Sequence, residues 1–284
     1  MSAERPLTGR TVLVTGATGG IGLETARRLA ALGARLVLGV RDPERGRAVA
    51  ARIEAEGGAA DALPLDLASF ASVRAAADRY AAARGALDVL VNNAGVAAAT
   101  RTVTEDGHER TWQTNFLGGY LLTRLLLPVL RRGTRPRIVH VSSEAHRTGA
   151  IDWDNLELER GYGGFRAYAN TKLAQIHIMR ELARREPGVA SNALHPGAIA
   201  TGIWREVPQP ARALVHAALW MIGGGSVARG AAPVARLASD PALEGVTGRY
   251  FKRFREAEPS AAARDDATAA RLWSVAASQT GLGG

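Results

Sequence analysis

A glycine-rich turn between an apolar strand and a helix constrains this chain more than any other feature, in TVLVTGATGGIGLETARRLAALG (residues 11–33). Gly16, Gly20 and Gly22 form the pattern G-x-x-x-G-x-G at the start of the helix. Glycines let the backbone turn sharply and bring amide groups close to a phosphate at a helix N-terminus. The alternative is a plain tight turn, but the strand before it and the periodic helix after it are the context that phosphate binding requires.

Apolar runs alternate with segments of helical periodicity along the rest of the chain. The runs span residues 11–16, 35–40, 59–67, 87–93, 137–143, 189–197 and 246–251, and the helical segments span 20–32, 44–57, 69–84, 105–131, 165–186 and 226–238. Most runs are continuously apolar, as in strands that are buried on both faces. The alternation predicts an α/β fold of the Rossmann type, a doubly wound parallel sheet flanked by helices on both faces.

No linker, repeat or change of composition divides the 284 residues, so a single domain over residues 1–284 is predicted. The irregular segment of about 200–225 is interpreted as a flap over a binding cleft, with a core helix and a glycine-rich turn as the alternative. The C-terminal extension, about 252–284, carries AARLWSVAASQTG, which predicts an amphipathic helix docked on the main body.

Composition excludes several classes of site. The chain has no cysteine, which removes disulfides and thiol chemistry, and no cluster of His, Asp and Glu has metal-ligand spacing, so no metal is predicted. The formal charge is +9, but the arginines are scattered, which favours a phosphorylated small molecule over nucleic acid. The polar N-terminus and the lack of about 18 uninterrupted apolar residues predict a cytoplasmic protein without a membrane span.

The end of the second strand indicates which dinucleotide would bind. An acidic residue at this position binds the ribose hydroxyls of NAD, whereas an arginine suits the 2′-phosphate of NADP. The strand ends in Val40-Arg41, and Asp42 follows one position later, before a proline, where it is typical of a helix N-cap. Arg41 therefore predicts NADP(H) as the cofactor.

Two serines and a Tyr–Lys pair are the candidate catalytic groups. Ser142 and Ser143 follow the fifth strand, where ligands of doubly wound sheets bind. Tyr168 and Lys172 are four residues apart on a predicted helix and therefore share a face. A positive charge beside a phenol lowers its pKa from about 10. The pair thus predicts a general acid–base that works nearer neutral pH.

A lysine at this position is unusual for the chain. Of its 36 Lys and Arg residues, only Lys172 and Lys252 are lysines. Chance is one explanation, and the other is a need for a compact ammonium group in a tight space, where arginine would be too bulky.

Several motifs, taken together, resemble the short-chain dehydrogenase/reductase superfamily between Thr11 and about Gly248. These are TGATGGIG, NNAG (residues 92–95), the serine after the fifth strand, YANTK and HPG (residues 195–197), in this order. VTGRYF, PSAAARDD, RLW and the long gap between Ser143 and Tyr168 resemble its retinol-dehydrogenase-like group.

The resemblance implies a role for each catalytic residue. Tyr168 would exchange a proton with the substrate oxygen, and Ser143, rather than Ser142, would hold that oxygen. Lys172 would lower the pKa of the tyrosine and bind the nicotinamide ribose, and Asn115 would anchor a water in a proton relay. The predicted cofactor contacts are Gly16, Thr18, Gly20, Ile21, Gly22, Arg41, Asp66, Leu67, Asn92, Ala94, Gly95, Tyr168, Lys172, Pro196, Gly197 and Thr201.

Some of these residues have structural alternatives. Asn115 could be a structural helix residue, and Asp66, the expected adenine contact, could cap the following helix. His140 and His195 are interpreted as packed residues at strand ends rather than as acids.

The predicted function is that of an NADP(H)-dependent ketoreductase or alcohol dehydrogenase. The alternatives are an NAD-dependent alcohol dehydrogenase of the same fold and a catalytically silent regulatory protein, which the intact catalytic residues disfavour. An apolar cleft with a bulky lipophilic substrate is expected from Trp153, Trp204, Trp220 and Met221. Both a monomer and a homo-oligomer are compatible with the sequence.

Overall fold

A mostly parallel sheet forms the centre of the computed structural model, which describes residues 5–199 and 225–283. Its strands are β1 (Thr11–Thr15), β2 (Arg35–Val40), β3 (Ala59–Pro64), β4 (Val89–Asn92), β5 (Arg137–Val141), β6 (Ala190–His195), β7 (Tyr250–Lys252) and β8 (Arg255–Ala257). Within the described residues the order is β3-β2-β1-β4-β5-β6-β7-β8. All neighbouring strands run parallel except β7 and β8, which form an antiparallel hairpin.

Helices cover both faces of this sheet. They are α1 (Gly20–Ala31), α2 (Pro43–Ala55), α3 (Phe70–Ala83), α4 (Arg110–Trp112), α5 (Gly118–Leu130), α6 (Gly164–Arg185), α7 (Val227–Ser239) and α8 (Asp266–Gln279). Val12 and Val14 of β1 pack into the core beneath α1, α2 and α7, whereas Leu13 packs into the core beneath α3, α5 and α6. Since β1 buries alternate residues on opposite faces, its sequence is almost continuously apolar. Helices on both faces of the mostly parallel sheet confirm the predicted doubly wound fold.

The structure departs from the predicted elements at two places. The helical segment predicted over 105–131 begins only at Arg110, because the Glu109 carboxylate accepts from the backbone N–H groups of Thr111 and Trp112 (2.9 and 2.7 Å). A π-helical turn, Gln113–Leu117, then joins α4 to α5. Strand β8 was not predicted, since it is short and largely exposed and therefore has no apolar run.

The C-terminal helix α8 packs on α6 and α5. Trp273 makes an edge-on contact with Tyr120, with ring centroids 5.1 Å apart, and the guanidinium groups of Arg124 and Arg185 lie 4.7 and 5.0 Å from its ring centroid. The single domain over 1–284 stays a prediction, and the flap lies outside the described residues except for Gly225. None of the helices in 5–199 and 225–283 has the length and apolar character that a bilayer crossing requires.

Candidate active site

A cavity of about 1080 Å³ opens where the parallel strands end. This edge of a doubly wound sheet is where ligands bind. The predicted residues that line the cavity are Gly16, Thr18, Gly20, Ile21, Gly22, Arg41, Asp66, Leu67, Ala94, Gly95, Ser142, Ser143, Tyr168, Lys172, Pro196 and Gly197. Asn92 and Asn115 are not part of this wall, and Thr201 lies outside the described residues.

The glycine-rich turn needs its glycines for backbone geometry and for space. Gly16 and Gly20 have φ angles of 69° and 54°, in the left-handed region that glycine adopts without strain. A Cβ on Gly22 would lie 2.4 Å from the Gly16 carbonyl oxygen, so the turn closes only on a glycine. The N-cap of α1 is Gly19, which provides no side-chain cap. The first turn of α1 therefore offers backbone N–H groups to the cavity, and this donor set fits a pyrophosphate.

The NNAG segment is fixed against β1 by one threonine. The Thr15 hydroxyl oxygen accepts from the backbone N–H groups of Asn93 and Ala94, both at 3.0 Å, and the Asn93 side chain donates to the Thr15 carbonyl at 2.8 Å. Asn93 thus lines the cavity. Asn92 faces the other way, because its amide donates to the Thr123 hydroxyl on α5 at 3.0 Å. The Asn92 side chain thus points away from the cavity, and its cofactor contact stays a prediction.

The residues that follow β2 place both arginine and aspartate at the wall of the cavity. The Asp42 carboxylate accepts from the backbone N–H groups of Glu44 and Arg45, both at 3.1 Å, and so caps α2 as the sequence predicted. Arg41 and Arg45 both line the cavity here. This part of the cavity wall therefore carries two arginines, while the carboxylate of Asp42 is used in capping α2.

Asp66 lines the cavity while its side chain also holds the local backbone. Its Oδ1 accepts from the Ala68 N–H at 3.0 Å, and its own N–H donates to the Ser72 hydroxyl at 2.9 Å. The N-cap of α3 is Ser69, not Asp66. The alternative that Asp66 caps the following helix is therefore wrong in detail, and its position beside Leu67 remains open to a ligand.

Ser143, Tyr168 and Lys172 meet at the opposite end of the cavity. The side chains of Ser143 and Tyr168 share a hydrogen bond, and Lys172 Nζ lies 5.4 Å from the centroid of the tyrosine ring. The Ser142 hydroxyl instead donates to the Lys172 carbonyl at 3.0 Å, which commits it to the backbone of α6. Between the two serines, the geometry favours Ser143 as the group that meets a substrate.

Burial is the main cause of the pKa shifts of Tyr168 and Lys172. It raises the pKa of Tyr168 to about 12, partly offset by the hydrogen bond from Ser143, and it lowers the pKa of Lys172 to about 7. The expected lowering of the tyrosine pKa is therefore not found. The physical reason is desolvation, which disfavours the charged form of both groups.

Asn115 is fixed by the π-helical turn directly behind this pair. Its Oδ1 accepts from the Val96 N–H at 2.8 Å, and its Nδ2 donates to the Val96 carbonyl (2.8 Å) and the Thr171 hydroxyl (3.1 Å). The side chain thus joins Val96, directly after the NNAG segment, to α6. Its main-chain carbonyl accepts from Gln175, a residue that the sequence did not single out, at 2.7 Å.

A second residue that the sequence did not single out is His146, which supports Ser143. Its Nε2 is 3.1 Å from the Ser260 backbone N–H, which can only donate, so Nε2 is the acceptor and Nδ1 carries the proton. Nδ1 then donates to the Ser143 carbonyl at 2.7 Å. Burial lowers the pKa of His146 and keeps the ring neutral. This ring ties the strand-end serine to the C-terminal extension.

The other aromatic and histidine predictions have mixed outcomes. His140 is buried on β5 with its pKa lowered to about 3, whereas His195 lines the cavity, and burial lowers its pKa to about 4. Trp153 does not line the cavity, because it packs on the core with the Arg271 guanidinium 3.9 Å from its ring centroid. Phe165 supplies apolar surface at the wall instead. Trp204, Trp220 and Met221 lie outside the described residues.

Comparison with known proteins identifies the family to which the chain belongs. The sequence profile described as short chain dehydrogenase matches residues 10–212. Polyprenol dehydrogenase of Mus musculus is 43% identical over 289 residues, covering 98% of this chain and 86% of that protein. Retinol dehydrogenase 14 of Homo sapiens is 39% identical over 293 residues, covering 96% and 87%.

A solved short chain dehydrogenase from Burkholderia cenocepacia in complex with NADP has a TM-score of 0.69 to this structure at 31% identity, covering 87% of this chain and 97% of that one. A doubly wound sheet with matches of this extent places the protein among the nicotinamide-linked oxidoreductases. The chain belongs to the short-chain dehydrogenase family, and within it to the retinol-dehydrogenase-like group.

Proposed function

We propose that the protein is an NADP(H)-dependent reductase of a bulky lipophilic carbonyl compound. The observation that carries this proposal is the meeting of Ser143, Tyr168 and Lys172 at one end of a cavity whose other end has the glycine-rich turn and Arg41. One end is built to bind a phosphorylated dinucleotide, and the other is built to hold and protonate an oxygen.

A bound nicotinamide would supply the hydride, which is chemistry that protein side chains do not provide. The N-terminus of α1 would hold the pyrophosphate, and Arg41 with Arg45 would face the 2′-phosphate. Lys172 would donate a hydrogen bond to the nicotinamide ribose. The family resemblance implies that Pro196 and Gly197, which line the cavity, would also contact the cofactor.

The proton is supplied by Tyr168. With a pKa raised to about 12, its phenol is protonated at neutral pH and can act as an acid toward a carbonyl oxygen as that oxygen becomes an alkoxide. Because the Ser143 and Tyr168 side chains share a hydrogen bond, an oxygen that enters between them meets two O–H donors. The protonated phenol is the form that carbonyl reduction requires at its start.

The proposed substrate class rests on the apolar part of the cavity wall and on the names of two relatives. Phe165 lines the cavity and is 54% exposed, so a lipophilic substrate would cover a large apolar ring. Two relatives are named for polyprenol and retinol, which are both long apolar alcohols. We therefore propose a bulky lipophilic carbonyl or alcohol as the substrate.

A panel of carbonyls and alcohols, each assayed with NADPH, NADP⁺, NADH and NAD⁺ by nicotinamide absorbance, tests the proposal. Turnover of lipophilic ketones or aldehydes with NADPH is the expected result. Turnover of alcohols with NAD⁺ alone would establish the NAD-dependent alternative. Binding of NADPH without turnover of any member would favour a catalytically silent cofactor-binding protein.

Arg41→Ala should remove most of the preference for NADPH. The parent should prefer NADPH over NADH by at least about tenfold in kcat/KM, since a hydrogen bond to a charged group contributes about 1.5–3 kcal/mol and about 1.4 kcal/mol is a factor of ten. The variant should lose affinity for NADPH with little change for NADH, measured as kcat/KM for both cofactors.

Arg47→Ala is the matched control, because Arg47 lies on α2, the helix that follows Arg41, pairs with Glu44 and does not line the cavity. It should keep the parental preference. An unchanged NADPH preference in Arg41→Ala would move the recognition of the 2′-phosphate away from this residue, and parental NADH activity equal to that with NADPH would contradict the cofactor assignment itself.

A further inference from the structure

A buried glutamine joins two of the residues on which the proposed reaction depends. Gln175 follows Lys172 by three residues on α6 and is 6% exposed. Its Oε1 accepts a hydrogen bond from Lys172 Nζ at 3.0 Å, and its Nε2 donates to the Asn115 main-chain carbonyl at 2.7 Å. The reversed amide would place donor against donor and acceptor against acceptor, so its partners determine its orientation.

Lys172 has few acceptors, and they are all neutral. An ammonium group has three N–H donors, and two of them bond to the Val141 carbonyl at 2.9 Å and to Gln175 Oε1. Among the described residues, no carboxylate bonds to or pairs with Lys172. One N–H therefore remains for a ligand in the cavity, and the two protein acceptors decide in which direction it points.

The titratable groups that face Lys172 do not balance its charge. Tyr168 on the same helix is protonated at neutral pH, and His140 on β5 is neutral because burial and the charge of Lys172 lower its pKa to about 3. Since Lys172 is only 3% exposed, water contributes little to the solvation of its ammonium group. Gln175 Oε1 is thus the only side-chain oxygen that the described structure places within hydrogen-bonding distance of Lys172 Nζ.

We propose that Gln175 is a positioning residue that favours the protonated form of Lys172 and directs its free N–H toward the cavity. The amide also ties the lysine to the π-helical turn at Asn115, the residue for which the family resemblance implies a relay water. An amide cannot pass a proton along, since its nitrogen only donates and its oxygen only accepts. Because Lys172 acts on cofactor and tyrosine only under the proposed function, the catalytic part of this inference rests on it.

The scarcity of lysine in this chain allows a direct measurement. Protein labelled with ¹³C at lysine Cε gives two lysine side-chain signals, from Lys172 and Lys252, which the Lys252→Arg variant assigns. Following the Lys172 signal against pH in the full chain, without cofactor, gives the protonation midpoint of this one side chain. Lys252 is the internal reference in each sample.

Gln175→Met should lower the Lys172 midpoint by about one pH unit, the lower end of what a hydrogen bond to a charged group contributes. Gln175→Glu should raise it, since a carboxylate near an ammonium favours its charged form. Gln113→Met is the matched control, because Gln113 is equally buried but bonds to Asp106 and Thr104 and does not touch Lys172. It should leave the midpoint unchanged.

The pH dependence of turnover provides a second test of the proposal. In carbonyl reduction by Gln175→Met, the decline of kcat at high pH should move to lower pH together with the NMR midpoint, whereas in Gln113→Met it should not move. Equal midpoints in parent and Gln175→Met overturn the proposal; if that variant does not fold, a midpoint in Gln175→Glu that is not raised overturns it. A shifted midpoint in a protein that turns over no substrate supports the role of Gln175 and contradicts only the proposed function.

Discussion

Tyr168→Phe should lower turnover by at least about 100-fold, the usual size of a lost general acid–base contribution, and leave NADPH affinity within a few-fold of the parent. The substitution keeps the ring, which is 8% exposed and packed in the wall of the cavity, and removes only the hydroxyl that shares a hydrogen bond with Ser143. Steady-state kinetics with a lipophilic carbonyl and NADPH titration by fluorescence measure the two quantities separately.

Tyr120→Phe is the matched control for this experiment. Tyr120 is also buried, and its hydroxyl accepts from Arg124 and contacts the Trp273 carbonyl, away from the cavity. It should retain parental turnover, so that any loss in Tyr168→Phe reports the missing proton donor. If Tyr168→Phe keeps more than a tenth of the parental turnover while chemistry limits the rate, the assignment of Tyr168 as the acid is wrong.

The features that sequence could predict are those encoded in short stretches of chain. The continuous apolar runs follow from strands buried on both faces, as Val12, Leu13 and Val14 of β1 show by entering two different cores. The spacing of Tyr168 and Lys172 places both on one face of α6, and the Asp42-Pro sequence gives the cap of α2. In each case the residues that form the sequence pattern lie within a few positions of the structural feature that they predict.

The features that sequence missed depend on partners far along the chain. Gln175 meets the Asn115 carbonyl across 60 residues, and His146 meets the Ser260 backbone across 114. Neither contact leaves a spacing pattern, because each arises from the packing of α6 and of the C-terminal extension. The tyrosine pKa was misjudged for a related reason: charge proximity can be read from an i, i+4 spacing, whereas the extent of burial cannot.

Lys172→Arg should lower turnover by about 100-fold or more, even though arginine keeps the positive charge. The lysine Nζ is held between the Val141 carbonyl and Gln175, and a Cβ built on Gly95 would lie only 3.7 Å from it, so the space around the charge is small. A planar guanidinium with donors spread over three nitrogens does not match two acceptors arranged for a compact ammonium. A displacement of about 1 Å near a reacting centre is enough for a loss of this size.

The same exchange at the chain's other lysine separates geometry from charge. Lys252 is 57% exposed and pairs with Glu144 at 3.0 Å, a contact that arginine can also make, so Lys252→Arg should retain near-parental turnover. Under the compact-ammonium explanation, the two substitutions therefore differ by two orders of magnitude although their chemistry is identical. Near-parental turnover in Lys172→Arg would show that this site needs only a positive charge, and that the lysine stands in an arginine-rich chain by chance.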